Sequence, residues 1–340
     1  MNKKTMSKLK VSVIIPAYNR ADLLIQTLRS LLEQDFPRED FEVIVVDNNS
    51  KDNTFEVVNK FAGDVVGALN FKYIHETRQG DIYARHTGAF HAEGEILLFT
   101  DDDATFDTNW ISEVIATFDR FPDCGAVGTR ISIVWDREPE LWVFRYESLL
   151  GKITYGDDYT YKENGLFVNN GSLAIKKTIF LEVKGNNPGQ IGDFLIGDAE
   201  MGLCRKLHEK KIPIAFTDKT TMWHHQFADK NGTFKDIKRR VFNNGIAEAY
   251  TNIFIYNKKS RKEILLNQLK NILLILKSSL AFQKNKKKNS ILKFHQANGC
   301  YRYMKLFLTD KELIGKIKST DWLLDEKYDG GKILLSTKIQ

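Results

Sequence analysis

The 340-residue sequence predicts an α/β protein, a mainly parallel, Rossmann-like sheet flanked by helices and followed by a basic helical appendage. Three observations predict it. Apolar, β-branched runs alternate with segments of helical period through the first 130 residues, the pattern of a doubly wound sheet. One run, Ile96-Leu97-Leu98-Phe99-Thr100, stops abruptly at three acids, Asp101, Asp102 and Asp103, and ligands of open α/β sheets lie where strands end. Charge is also unevenly spread. Between Lys235 and Cys300 fifteen Lys or Arg face three Asp or Glu, so the net +6 divides into +12 there and −6 elsewhere.

Taken in order, Val11 to Pro16 reads as the first strand, and Leu23, Leu24, Leu28, Leu31 and Leu32 follow at helical spacing behind a cap from Asp22 or Asn19. Strand Phe41 to Val46 leads through the polar loop Asp47 to Thr54 into a helix from Phe55 to Phe61. A strand at Phe71 to His75, a helix at Ile82 to His91, the acid-terminated strand, a helix at Ile111 to Phe121 and a strand at Ala126 to Ile131 complete the alternation. Ser132 to Val168 is aromatic and aperiodic, a variable region over the sheet or beside a pocket. Phe167 to Ile175 reads as a strand broken at Gly171, Asp198 opens a helix reaching His208, and Ile212 to Thr217 and Thr221 to His225 read as two strand pieces. From Lys235 helix formers dominate, and Leu265, Leu269, Ile272, Leu276 and Leu280 share one helical face. The expected divisions are a basic tail at 1–10, a first half of the sheet domain at 11–104, a second half at 105–234 and a basic helical region at 235–340.

Composition narrows the function classes. With 42% hydrophobic and 28% charged residues the chain is globular, and three dispersed cysteines give neither a zinc module nor a disulfide framework, as expected in a reducing compartment. No secretion signal precedes the first strand and no 18-residue apolar run occurs. The expectation is a cytoplasmic protein, with the basic helical region either packed on the domain or attached peripherally to the inner face of the cell membrane. No G-x-G-x-x-G follows the first strand, no G-x-S-x-G elbow is present, and His208-Glu209 lacks the second histidine of a zinc-protease helix.

What remains is a set of polar groups at successive strand ends: Pro16 to Arg20, Asp47, Arg78 to Arg85, and Asp101 to Asp103. On a parallel sheet they converge along one edge, offering acceptors to a base and ribose, cations to phosphate and carboxylates to a metal. Asp101 and Asp103, two apart on an extended segment, point the same way and can share a divalent cation or a sugar hydroxyl. Other readings stand beside this one. The acids can cap the next helix in competition with Asp107 or Thr108, Asp47 can close an Asx-turn, and Arg85 can lie on a solvated helix face.

With those motifs in view, the sequence resembles the family 2 glycosyltransferases of the GT-A fold. The matching segments are Val13 to Arg20, Val45 to Thr54, Gly80 with Ala84-Arg85, Leu98 to Ala104, Asn170-Gly171-Ser172, Gly197 to Met201 and Trp223-His224-His225, in family order over roughly residues 11 to 228. The resemblance implies that Pro16, Ala17, Tyr18, Asn19, Arg20, Asp47, Asn49, Arg78, Gly80, Arg85, Asp101 and Asp102 hold a nucleotide-sugar donor, usually of uridine. It implies Mn²⁺ or Mg²⁺ on Asp103 with His224 or His225, a general base at Asp198, and acceptor contacts from Asn170, Gly171, Trp223 and Glu200. Gly197 departs from the pattern, since members often carry Glu there, which puts a second carboxylate at the acceptor in doubt. The expected reaction is metal-dependent, inverting transfer from a UDP-sugar to a glycan or lipid-linked acceptor in surface polysaccharide assembly, with no nucleic acid partner. Two alternatives remain: a nucleotidyltransferase, expected to carry a Gly-rich basic loop after the first strand, and a non-catalytic glycan- or membrane-binding module, against which the intact acids argue.

Overall fold

The computed structural model describes residues 10–191, 194–258, 260–281, 283–319 and 331–338; the basic tail, up to Leu9, lies outside them. The strands are β1 (Val11–Ala17), β2 (Phe41–Asp47), β3 (Asn70–His75), β4 (Ile96–Thr100), β5 (Ala104–Phe106), β6 (Ala126–Trp135), β7 (Tyr159–Lys162), β8 (Ser172–Lys176), β9 (Gln190–Ile191), β10 (Phe194–Leu195), β11 (Ile214–Gln226) and β12 (Lys332–Thr337). Ten of them form one mixed sheet in the order β12-β3-β2-β1-β4-β8-β6-β11-β5, with β7 on β11. Helices α1 (Ala21–Leu32), α2 (Thr54–Asp64) and α4 (Trp110–Arg120) pack on one face; α3 (Asp81–His91), α5 (Lys177–Glu182) and α6 (Ala199–Glu209) pack on the other. β1 shows why the strand runs are apolar throughout: Val13 and Ile15 enter the first core and Ile14 the second, all fully buried. Each such side chain contributes about 1.5–3 kcal/mol by leaving water.

The first half is parallel as expected, but the sheet as a whole is mixed. β8 runs antiparallel to both β4 and β6, pairing Ser172 with Thr100 and Leu173 with Gly128. A buried polar trio fixes it there, Trp110 Nε1 donating to Ser172 Oγ at 2.9 Å and to Thr129 Oγ1 at 3.1 Å. The expected break at Gly171 is a loop that ends where β8 starts. The two expected strand pieces after Ile212 are one strand, β11, with a bulge between Thr217 and Thr221. Asp218 sits in that bulge because its buried carboxylate accepts from Thr154 Oγ1, the Tyr155 and Gly156 amides and Arg130 Nε at 2.8–3.0 Å. Neither Asp22 nor Asn19 caps α1; Asp52 accepts from the Ala21 amide across the loop at 3.2 Å. Similarly, neither Asp107 nor Thr108 occupies the N-cap of α4, which is Asn109.

Beyond α7 (Ala228–Asn231) the chain forms α8 (Phe234–Tyr250), α9 (Lys262–Leu280), α10 (Lys284–Thr309) and α11 (Lys311–Ser319). The appendage is not wholly helical, since β12 returns to the sheet and pairs antiparallel with β3. α8 and α10 meet through two glycines. A β-carbon on Gly245 would lie 2.1 Å from the Gln296 carbonyl oxygen, and one on Gly299 would lie 2.3 Å from that of Phe242. Both obstacles are backbone, so the helices would have to separate. Gly245→Val is therefore expected to cost about 1–3 kcal/mol by overpacking. Hydrogen exchange should show the loss in α8 and α10 while β1 to β4 stay protected; equal protection in variant and parent would disprove the close crossing.

Candidate active site

A cavity of about 380 Å³ opens at the carboxyl ends of β1 and β4, within the size range of small-ligand sites. Pro16, Ala17, Tyr18 and Arg20 wall it on one side and Gly80 and Asp81 on another, with the three acids and His224 also lining it. The backbone of the first loop can turn so sharply because Asn19 takes a left-handed conformation (φ 52°), which Asn tolerates better than most residues. It is tied down there by Asn19 N to Ser50 Oγ at 3.1 Å and Lys51 N to Asn19 Oδ1 at 2.7 Å.

Each acid has a cationic partner. Asp101 Oδ1 accepts from Arg85 Nη2 at 2.6 Å. Asp102 accepts from the Tyr18 amide at 3.1 Å and from Arg20 Nη1 at 2.9 Å, and the same guanidinium nitrogen lies 2.6 Å from Asp103 Oδ2. On its other side Asp103 Oδ1 is 3.0 Å from His224 Nε2, whose Nδ1 faces the Leu150 carbonyl at 2.8 Å. Burial pushes the Asp102 carboxyl up to about 7 despite Arg20, with Asp103 and Asp101 adding to the rise. Burial acts the same way on Asp103, but there His224 and Arg20 outweigh it and hold the carboxyl below its usual range. Burial alone would lower His224; the bond to Asp103 and the charge behind it raise it instead.

These groups fit a divalent cation. Asp101, Asp103 and His224 each offer a ligand atom within 4.8 Å of the others, and the buried Asp103 Oδ1 has only the His224 ring nitrogen beside it. A buried carboxylate oxygen is costly unless a positive charge meets it, a place that a protonated His224 or a divalent cation can fill.

The family model for glycosyl transferase family 2 matches residues 12–183, half of the sequence. The chain belongs to that family. A glucosyl-dolichyl phosphate glucuronosyltransferase of Haloferax volcanii is 26% identical over 269 residues, covering 77% of this chain and 83% of that one. A poly(ribitol-phosphate) β-N-acetylglucosaminyltransferase, TarS of Staphylococcus aureus, is 34% identical over 111 residues, 33% of this chain but only 19% of the relative. Among solved structures, the mannosyltransferase of Pyrobaculum calidifontis in complex with GDP-Man and Mn²⁺ superposes with a TM-score of 0.59 at 20% identity, covering 89% of this chain and 88% of that one. The fold is GT-A, and this glycosyltransferase carries its C-terminal helices beyond the matched segment.

Of the expected donor and metal residues, Pro16, Ala17, Tyr18, Arg20, Gly80, Asp101, Asp102, Asp103 and His224 line the cavity. Others stand behind it. Arg85 is not solvated but buried, bonding Asp81, Asp101 and the carbonyls of Thr100 and Asn170. Gly171 lies beside Asp101, where a β-carbon would be 2.8 Å from Oδ2. Asp47 closes a turn onto the Ser50 amide at 2.8 Å and accepts from Tyr73 Oη, which is the Asx-type reading. Asn49 faces Lys51, and Arg78 pairs with Glu76 and stacks over Tyr83. His225 turns away from the acids to Thr105 Oγ1 at 2.9 Å, so of the two histidines only His224 joins the cluster. Trp223 is half-exposed and donates to Asp107 Oδ1 at 2.8 Å, outside the cavity.

The start of α6 departs most from expectation. Asp198 is buried, makes no capping hydrogen bond, accepts from Asn187 Nδ2 at 2.7 Å and is ion-paired with Arg205. Glu200 is held only loosely, by Asn169 and Asn170 Nδ2, each at 3.4 Å. Sequence reasoning gave no individual role to Asn48, Gln79, Asp81, Gln226, Asn231 and Arg240 in the cavity wall. Gln226 extends the histidine strand and was within reach of period-two reasoning; Arg240 comes from α8, in the segment assigned to the appendage.

Arg20 and a divalent cation would compete for Asp103. Arg20→Ala should destabilise the chelator-treated protein by on the order of 1–2 kcal/mol, the guanidinium being partly solvent-screened. It should also enlarge the rise in melting temperature that Mn²⁺ produces. If Mn²⁺ shifts parent and variant equally, the two cations do not share Asp103.

Proposed function

We propose that the protein transfers a sugar, with inversion, from a UDP-sugar to a hydroxyl of a glycan or lipid-linked glycan in surface polysaccharide assembly. The observation that carries this reading is the Asp101–Asp103–His224 cluster in a cavity also walled by the first loop. In this reading Pro16 to Tyr18 face the nucleoside, Arg20 and Arg240 face the diphosphate, and residues 11–104 and 105–234 serve donor and acceptor respectively. Asp101, Asp103 and His224 would hold Mn²⁺ or Mg²⁺. Such an ion, when bound, neutralises charge growing on the leaving diphosphate. The lipid-linked acceptor is supported by the name of the Haloferax relative, a glucosyl-dolichyl phosphate glucuronosyltransferase.

An acceptor hydroxyl must lose its proton as the new glycosidic bond forms. Asp198, the base the family resemblance implies, has both carboxylate oxygens engaged, one by Asn187 and one by Arg205. Glu200, which like Asp198 is not among the residues lining the cavity, is the less engaged of the two, its oxygens 3.4 Å from Asn169 and Asn170 Nδ2. Burial, reinforced by Asp81 and Asp101 and opposed by Arg85, pushes its carboxyl up to about 7, suited to accepting a proton near neutrality. We therefore assign the base to Glu200 and give Asp198 a positioning role, anchoring the start of α6 through Arg205, which also donates to Thr251.

The donor reading is tested by thermal shift. UDP with Mn²⁺ should stabilise the parent, and Asp103→Ala should lose that metal-dependent gain while keeping its fold. Equal gains in both, or a gain with GDP alone, would overturn it.

The base is tested separately. Glu200→Gln should lower the transfer rate about 10²- to 10⁴-fold at unchanged UDP–Mn²⁺ affinity, and Asp198→Asn should cost much less rate. A raised carboxyl pKa means the native state binds this proton more tightly than the unfolded chain. Its contribution to stability is complete below the unfolded carboxyl range and lost as pH rises through about 7. Glu200→Gln should thus melt higher than the parent near pH ~8 and no higher near pH ~4. The reverse ranking of the two variants in rate would return the base to Asp198.

A further inference from the structure

Helix α9 is amphipathic in the inverse sense. Its buried positions are Asn271 and Ser278, on the seam continued by the partly covered Ile264, Gln268 and Ile275 that packs on α10. The leucines look outward: Leu266, Leu269, Leu273 and Leu276 are 56–67% exposed and Leu280 is 82% exposed. So large an uncovered apolar stripe on one helix marks a binding surface. Just past it, Lys284, Lys286 and Lys287 are exposed at the start of α10 and make no ion pair among the described residues.

We propose that the outer face of α9 and the lysines opening α10 dock the protein on an anionic lipid bilayer. Charge decides the occupant. Between Lys258 and Lys293 the sequence has eleven Lys or Arg and one Glu. Two copies joined through this face would set these cations against their like within a Debye length of about 8 Å. Anionic headgroups instead attract them, at about 1 kcal/mol for each lysine near the surface. No described helix is long and apolar enough to cross a membrane, and α9 itself is interrupted by Lys270 and Lys277, so it lies in the interface with its leucines inserted.

The same surface reaches toward the active site. Lys288 sits over the Trp142 ring at 4.8 Å and Tyr146 Oη donates to Asn289 Oδ1 at 2.7 Å, while the neighbouring Leu141 and Phe144 are exposed. These residues begin the 3₁₀ segment Val143–Leu150, whose far end meets His224 through the Leu150 carbonyl. At about 2 Å per residue its eight residues span on the order of 16 Å. The docked face and the cavity are thus joined by one short rigid piece.

Docking stands on this surface alone and needs neither donor nor acceptor, so its test is independent of the transfer reaction. The full chain is floated with phosphatidylcholine vesicles with and without phosphatidylglycerol. Binding should require phosphatidylglycerol and weaken with salt. Lys284→Gln, Lys286→Gln and Lys287→Gln together should reduce it about fivefold per lysine. The pair Leu266→Asp and Leu273→Asp should reduce it at least about tenfold, with the melting temperature and the UDP–Mn²⁺ shift unchanged because both side chains already face water. Failure to bind anionic vesicles at low salt, or binding indifferent to both sets of substitutions, would overturn the proposal. So would a dimer in light scattering that the leucine variant dissolves.

Discussion

Three consecutive carboxylates at the end of a buried strand can be tolerated only if cations reach them. Here Arg20 comes from the loop after β1, Arg85 from α3 and His224 from β11. Desolvating an ion costs several kcal/mol and is repaid only by well-made partners, so the elements carrying these cations must arrive together. The acid trio therefore does two things. It offers oxygens to a cation, and it ties the two halves of the sheet to each other across β8.

Much of this architecture was legible because β1, β2 and β4 are covered on both faces and so read as nearly unbroken apolar runs. β4 could be bounded to the residue, since its end coincides with the first acid. What could not be read depends on buried polar partners distant in sequence. The direction of β8 rests on Trp110 and Thr129, and the continuity of β11 across its bulge rests on Asp218 meeting Thr154 to Gly156. Periodicity also has a blind side. In α9 the leucine stripe and the seam of Ile264, Gln268, Asn271, Ile275 and Ser278 both run at helical spacing, and only tertiary packing shows that the more polar seam is the one covered.

The same limits shaped the site. Asp101 and Asp103 share a cluster although the chain turns at Asp102 and Asp103 and is not extended there, and His224 and His225 point oppositely by the period of β11, which does not say which faces the acids. Asp198 and Glu200, two positions apart at the start of a helix, cannot face the same way either. Asn187 and Arg205 engage Asp198, while Glu200 meets only the more distant amides of Asn169 and Asn170. Arg240 lay outside sequence reasoning because α8 was assigned to an appendage, whereas its side chain lines the cavity, donating to the Leu149 carbonyl and held by Asp236.

The reversed strand β8 has a consequence of its own. A parallel strand delivers its end to the cavity edge of the sheet, whereas β8 delivers its beginning, so the Asn169-Asn170-Gly171 loop arrives beside Thr100 and Asp101 instead of on the far side. At the opposite edge the chain turns back into β4 at Gly94, whose amide donates to Ser12 Oγ at 2.8 Å. On the cavity edge an added methyl group at Gly171 would press on Asp101, and on the far edge one at Gly94 would press on the backbone of Val11 and Ser12. Both margins of the sheet thus leave the chain little room to change where these two glycines stand.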